Sequence, residues 1–180
     1  MSLPPDAEKP EEIVWQGRFV TAKKRGRWEY AGRARGIRAA VIIALDGEHV
    51  ILVSQYRVPL GNWSLELPAG LVGDEAGNED EGIEDAASRE LEEETGYRAG
   101  RMEKLLDLYS SPGMLSESFV LLRANELEKV GEGGGTESED ITVHRVPLTG
   151  LRDYVAEWQR AGKAVDVKVA ILLGQGLWKD

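Results

Sequence analysis

No cysteine occurs among the 180 residues, which excludes both a disulfide framework and a thiolate nucleophile. The chain also lacks any long apolar run, so nothing in it reads as a membrane span. Positive charge is scarce: 22 Lys and Arg stand against 32 Asp and Glu, for a formal net charge of −10. That balance argues against nucleic acid as a partner, because phosphate backbones are held by clustered Lys and Arg. Met1 to Pro10 is polar and proline-rich with no signal-like apolar stretch, so a cytoplasmic protein is expected. The length suits one domain with a substantial core.

No internal repeat is evident. Residues 1–37 read as a tail followed by a strand extension, and residues 38–180 as the main domain. Residues 1 to about 12 are expected to be loosely attached. Residues 13–23 and 27–32 alternate as a strand pair turning at Lys24-Arg25-Gly26. Ala39 to Leu45 reads as a buried strand, Asp46-Gly47 as a hairpin turn and Val50 to Tyr56 as the partner strand. Further strands are expected at Trp63 to Leu67, Met102 to Tyr109, Ser118 to Leu122 and Ile141 to Val146, with helices near Leu151 to Ala161 and Val165 to Trp178. Gly131 to Glu139 is acidic and glycine-rich and reads as a mobile loop. Strands and helices interleave without regular βαβ repetition, which makes the expected fold class α+β.

The segment richest in chemistry runs from Glu81 to Tyr97. Arg89-Glu90-Leu91 is followed by Glu93-Glu94 and then Gly96, and on a helix Glu90 shares a face with Glu93 and Glu94. Three carboxylates on one face repel one another, and a hard divalent cation turns that repulsion into binding. Any glutamate-rich helix could instead be a solvated face. Against that, Arg89 sits inside the acidic cluster, where it can pair with Glu81 or Glu93. Ile83, Ala87 and Leu91, with Ala86 beside them, form an apolar stripe at helical spacing. Gly96 stands where a C′ glycine belongs.

This arrangement resembles the Nudix box, the signature helix of hydrolases that cleave a nucleoside diphosphate linked to another moiety. The pattern's leading glycine corresponds to Gly70 in Leu67-Pro68-Ala69-Gly70, with ten residues intervening before Glu81. Position 75, where the usual spacing would place that glycine, is Glu75. The extra stretch within Gly73 to Asp80 is polar and reads as an enlarged surface loop. Ser54-Gln55-Tyr56-Arg57, Glu66-Leu67-Pro68-Ala69-Gly70 and Ser111-Pro112-Gly113 resemble landmarks of the ADP-ribose pyrophosphatase branch. The resemblance implies a Nudix fold, a mixed sheet sandwiched between helices, carrying an N-terminal antiparallel strand extension.

It also implies the site. Glu90, Glu93, Glu94 and the Ala69 carbonyl would hold Mg²⁺, with Mn²⁺ able to substitute, as two or three ions. Bound dications would also explain how so acidic a chain takes a diphosphate substrate. Arg57 would contact the diphosphate or terminal ribose, a role its planar fork suits, although it could simply end a strand in solvent. Glu117 matches a position touching the terminal ribose or the catalytic water; otherwise it is a loop carboxylate. Pro112 would stand on a substrate-side loop. The base would come from Glu137, with Glu139 the alternative, and Arg89 completes the catalytic set. Trp28 and Phe19 match positions where adenine stacks, the other reading being core packing.

The expected partner is a nucleoside diphosphate sugar, with no nucleic acid and no membrane. The expected assembly is a homodimer with swapped N-terminal strands. Within the same chemistry the alternative substrate is GDP-mannose or another sugar nucleotide. From a different class, the chain could be a catalytically silent nucleotide sensor, although such domains usually lose carboxylates that are all present here.

Overall fold

The computed structural model describes residues 2–34, 37–73, 81–135 and 140–174. They form two sheets. The first is antiparallel, in the order β1 (Glu12–Gln16), β2 (Val20–Arg25) and β3 (Trp28–Arg33). The single strand expected over 13–23 is therefore two. The chain reverses at Gly17-Arg18-Phe19, where the Gly17 N–H donates to the Val20 carbonyl at 2.8 Å. The Trp15 ring lies where a Gly17 Cβ would be, 2.5 Å from its nearest carbon, so the turn and the ring need each other.

The expected loose tail is also corrected. Asp6 is only 4% exposed and accepts from Arg27 Nε at 2.8 Å, while Arg25 donates to the Ala7 carbonyl. Gly26, at φ 58°, leaves room for this approach: a Cβ there would meet Asp6 Oδ1 at 2.3 Å.

The second sheet contains β4 (Ala39–Asp46), β5 (His49–Arg57), β6 (Asn62–Glu66), β7 (Ala69–Leu71), β8 (Tyr97–Tyr109), β9 (Ser118–Lys129), β10 (Thr142–Pro147) and β11 (Ala164–Val165). Its order is β11-β6-β5-β4-β9-β8, with β10 added to β5 and β7 to β4. Both faces are covered. Ala40, Ile42 and Ala44 pack with Ala87 and Leu91 of α1 (Ile83–Thr95). Val41 and Ile43 share the opposite cluster with Leu151 and Val155 of α2 (Leu151–Arg160) and Leu172 of α3 (Ala170–Leu173). A strand buried on both sides reads as an unbroken apolar run, as β4 does.

Two further expectations need adjusting. β8 and β9 extend well past the apolar segments, pairing out to Tyr97 opposite Lys129. The helix expected over Val165 to Trp178 is instead β11, a short 3-10 turn at Val167–Val169 and α3. Residues 175–180 and the enlarged-loop residues 74–80 lie outside the described residues.

The site follows from how β4 and β5 part. They pair only over Ala44–Asp46 and His49–Ile51. Beyond that, β5 continues with β6 and β4 with β7. The chain crosses between them at Leu67-Pro68, where proline leaves no ladder donor to satisfy and its carbonyl accepts from the Ile42 N–H at 2.9 Å.

Candidate active site

The C-terminal end of α1 is fastened at every one of its last four carbonyls. Glu92 O accepts from Gly96 N, Glu93 O from Gly135 N, Glu94 O from Gly134 N, and Thr95 O from Lys129 Nζ, all between 2.8 and 3.0 Å. Gly96, at φ 69°, is the left-handed cap anticipated from the sequence. Gly133, Gly134 and Gly135 all have positive φ, and a Cβ on Gly133 would sit 2.4 Å from the Thr95 carbonyl carbon. The glycine run was expected to confer mobility. Its described part serves close approach and helix capping instead.

Arg89 organises Glu81, Glu90 and Glu93. Nε and Nη2 reach Glu81 at 3.3 and 3.2 Å, and Nη1 reaches Glu90 at 3.0 Å and Glu93 at 3.3 Å. Glu94 behaves differently. It is 4% exposed, and its Oε2 accepts from the Ala69 N–H at 3.0 Å. In an extended strand the N–H and C=O of one residue point the same way, so the Ala69 carbonyl also faces away from β4 on the side of Glu94. Glu90 lies flat against Gly70, where a Cβ would fall 1.9 Å from the Glu90 carboxyl carbon. Glycine at 70 is what lets this carboxylate approach the strand.

These groups open into a cleft of about 780 Å³. Arg57 crosses it to form a paired contact with Glu66, Nε to Oε1 at 2.8 Å and Nη2 to Oε2 at 2.6 Å. The bond to Glu66 holds the Arg57 guanidinium above its ordinary pKa, against the cost of burial, with Glu94 and Asp166 adding attraction. Arg33, from the end of β3, places Nε and Nη2 at 2.7 and 2.6 Å from Glu117 Oε1. Lys168 is paired with Asp166 at 2.6 Å, and Asp166 also caps the 3-10 turn through the Lys168 N–H.

Of the residues singled out from sequence, the cleft gathers Ala69, Glu90, Glu94, Arg57 and Glu117. Glu93 is not among the residues that line it and pairs with Arg89. Trp28 and Pro112 meet elsewhere, in a second cleft of about 580 Å³ beside Tyr30, Tyr109 and Leu115. Phe19 lines neither cleft and stacks with the Arg18 guanidinium at 4.9 Å. Glu137 and Glu139 lie outside the described residues. Sequence reasoning passed over Arg33, Asp166 and Lys168, and treated Glu66 only as part of a landmark. For Glu66 the signal was its place one residue before the strand crossing.

The donor set suits a hard divalent cation: a buried carboxylate, a second carboxylate on Gly70, and a strand carbonyl on the same side. Among the described residues, no three acidic or histidine side chains yet converge on one point. Arg89 draws Glu90 and Glu93 to itself, so Glu90 or Glu93 would exchange this guanidinium for the ion.

Comparison with known proteins agrees with this architecture. Residues 35–164 match the model of the NUDIX domain. A GDP-mannose pyrophosphatase of Cronobacter sakazakii is 33% identical over 144 residues, covering 77% of this chain and 72% of that protein. An ADP-ribose pyrophosphatase of Bacillus subtilis is 41% identical over 110 residues, 61% of this chain and 57% of that one. A crystal structure of an ADP compounds hydrolase superposes with a TM-score of 0.69 at 25% identity, covering 91% of this chain and 89% of the other. With the acid-bearing helix, its glycine cap and the strand crossing at Leu67-Pro68 all lying inside the matched span, this chain belongs to the Nudix family.

Proposed function

We propose that this protein hydrolyses the diphosphate linkage of ADP-ribose, or of a similar nucleoside diphosphate sugar, giving AMP and ribose 5-phosphate from ADP-ribose. The observation that carries this reading is the meeting of Glu94, Glu90 and the Ala69 strand with Arg57 in one cleft. Water adds to one phosphorus, the bridging P–O bond breaks, and the leaving phosphate keeps the bridging oxygen. Mg²⁺ or Mn²⁺, as two or three ions held by Ala69, Glu90, Glu93 and Glu94, would neutralise the diphosphate and acidify water. Arg57, braced by Glu66, orients the diphosphate. Arg89 steadies the acids of α1. Glu137 takes the water's proton, with Glu139 the alternative base.

Trp28 and Pro112 bound the second cleft, which suits the flat face of a nucleobase. Ile13, Trp15, Phe19 and Trp28 leave the first sheet with large apolar groups 54 to 60% exposed. Such a surface supports the homodimer reading, in which residues 1–37 contribute the interface and residues 38–180 the hydrolase domain. No helix among the described residues is long and apolar enough to cross a membrane, which is compatible with a cytoplasmic enzyme.

GDP-mannose is the second substrate to test, because relatives bearing that activity in their names align with 77% of the chain. The test is a panel of ADP-ribose, GDP-mannose and other sugar nucleotides with Mg²⁺ and Mn²⁺, with products resolved by chromatography. The proposal expects a nucleoside monophosphate and a sugar phosphate. Hydrolysis of none of them overturns it. A mass of one chain by light scattering overturns the dimer.

A further inference from the structure

We infer that Arg33 is a positioning residue for catalysis, acting through Glu117 and tying the N-terminal sheet to the cleft of its own chain. The inference rests on the hydrolase reading above and names a residue that reading did not use.

The argument begins with the backbone. β3 runs beside residues 114–116 in a short parallel bridge between Ala31 and Leu115. The Ala31 N–H donates to the Met114 carbonyl at 2.9 Å, and the Ser116 N–H donates to the Ala31 carbonyl at 2.9 Å. A Cβ on Gly32 would lie 2.5 Å from Ser116 Oγ, so glycine permits the approach. Ala31 faces Leu115, so counting two residues on along both parallel segments brings Arg33 opposite Glu117.

The side chains use that register. Both Arg33 donors converge on Glu117 Oε1, while Ser110 Oγ donates to Oε2 at 3.5 Å. The ion pair is half-buried, with the side chains 32% and 26% exposed, and both residues line the main cleft. Arg33 holds the Glu117 carboxyl group in place, with Oε2 turned to the weaker contact. A carboxylate held this way offers a substrate hydroxyl or a water an acceptor in a set direction, without the entropy of a free loop side chain. The extension therefore builds a wall of the active site as well as presenting an exposed sheet.

The experiment is a double-mutant cycle on the intact protein, using the nucleotide sugar that the wild type hydrolyses best. Arg33→Met and Glu117→Gln are each expected to lower kcat/KM by roughly ten- to a hundredfold, the scale of a lost charge-assisted contact. Combining them should add little to Glu117→Gln alone. Arg33→Lys keeps the charge and stem and should recover part of the loss, a graded rescue that a fold defect would not give. It also serves if Arg33→Met does not fold. Thermal melting of each variant separates stability from rate. Losses that multiply in the double variant, or a fully active Arg33→Met, overturn the inference and leave the hydrolase reading standing. A wild type inert toward every sugar nucleotide overturns both.

Discussion

Glu94 is the residue whose replacement separates chemistry from stability most cleanly. On the exposed acidic face that its sequence setting suggests, loss of its charge would cost little. The structure corrects this: it is 4% exposed and accepts from the Ala69 N–H at 3.0 Å. Glu94→Gln keeps the shape and an acceptor oxygen, so that bond falls from charge-assisted to neutral, a loss of about 1 kcal/mol. Relief of a buried negative charge beside Glu90 offsets part of it. For a chain of this size the melting temperature should drop by no more than about 4 °C. Turnover is another matter. Removing the charge proposed to hold the metal should cut kcat by ~10²–10⁴, equivalent to roughly 3–5 kcal/mol of transition-state stabilisation. Glu94→Ala strands the Ala69 N–H and opens a void, costing about 2–4 kcal/mol of stability. Parallel melting curves and saturating-Mg²⁺ kinetics on the two variants give the test. A Gln variant with near-wild-type kcat would refute the metal role. A Gln variant as unstable as the Ala variant would refute the account of the buried bond.

Three further outcomes are expected. Glu137→Gln should lower kcat strongly with little change in KM, and Glu139→Gln should do less; the reverse ranking in steady-state kinetics moves the base to Glu139. Trp28→Ala should raise KM for ADP-ribose by roughly five- to a hundredfold, since stacking on one ring is worth ~1–3 kcal/mol, and an unchanged KM removes Trp28 from base binding. Gly133→Ala meets backbone at 2.4 Å with φ 72°, so it should lower the melting temperature well beyond Gly47→Ala, whose φ is 60° but whose Cβ has open space; equal shifts in differential scanning calorimetry would discount the clash.

What the sequence disclosed and what it hid divide along physical lines. α1 was legible because Ile83, Ala87 and Leu91 recur on one face and Gly96 ends it, a local pattern that tertiary structure only confirms. β4 and β5 were legible because burial on both faces forces continuous apolar runs. The outer halves of β8 and β9 were not, since Arg98 pairs with Glu128 and Arg101 with Asn125, and such polar residues outweigh Tyr97, Ala99 and Leu127, the few there that pack against the core. Trp15, Ala22 and their neighbours alternate straight through the reversal at Gly17, and alternation alone cannot see a turn. Ala69, Glu90, Glu94, Arg57 and Glu117 share one cleft, and motif spacing is what singled them out together. Arg33 was invisible, because its meaning lies in a carboxylate 84 residues away. The glycine run at 133–135 was read from composition as slack, whereas its positive φ angles belong to a cap that only the helix end explains.

The parallel pairing of β4 with β9 carries a consequence for how the chain acquires its structure. The ladder joins Ala39 to Phe119 and Ala44 to Ala124, whereas β5 and β6 reach their antiparallel neighbours through short turns. During synthesis the β4–β5–β6 meander can form early, yet one edge of β4 stays unpaired until β9 has left the ribosome. That edge belongs to a strand apolar on both faces, which is the kind of surface that recruits a second nascent chain or a chaperone. Closing so long a loop comes before the contacts that reward it, so insertion of β9 is expected to be slow beside formation of the meander. Ala69 pairs with Val41 of β4 and donates to Glu94, so this side of the cleft takes shape only when β7 and α1 have both reached β4.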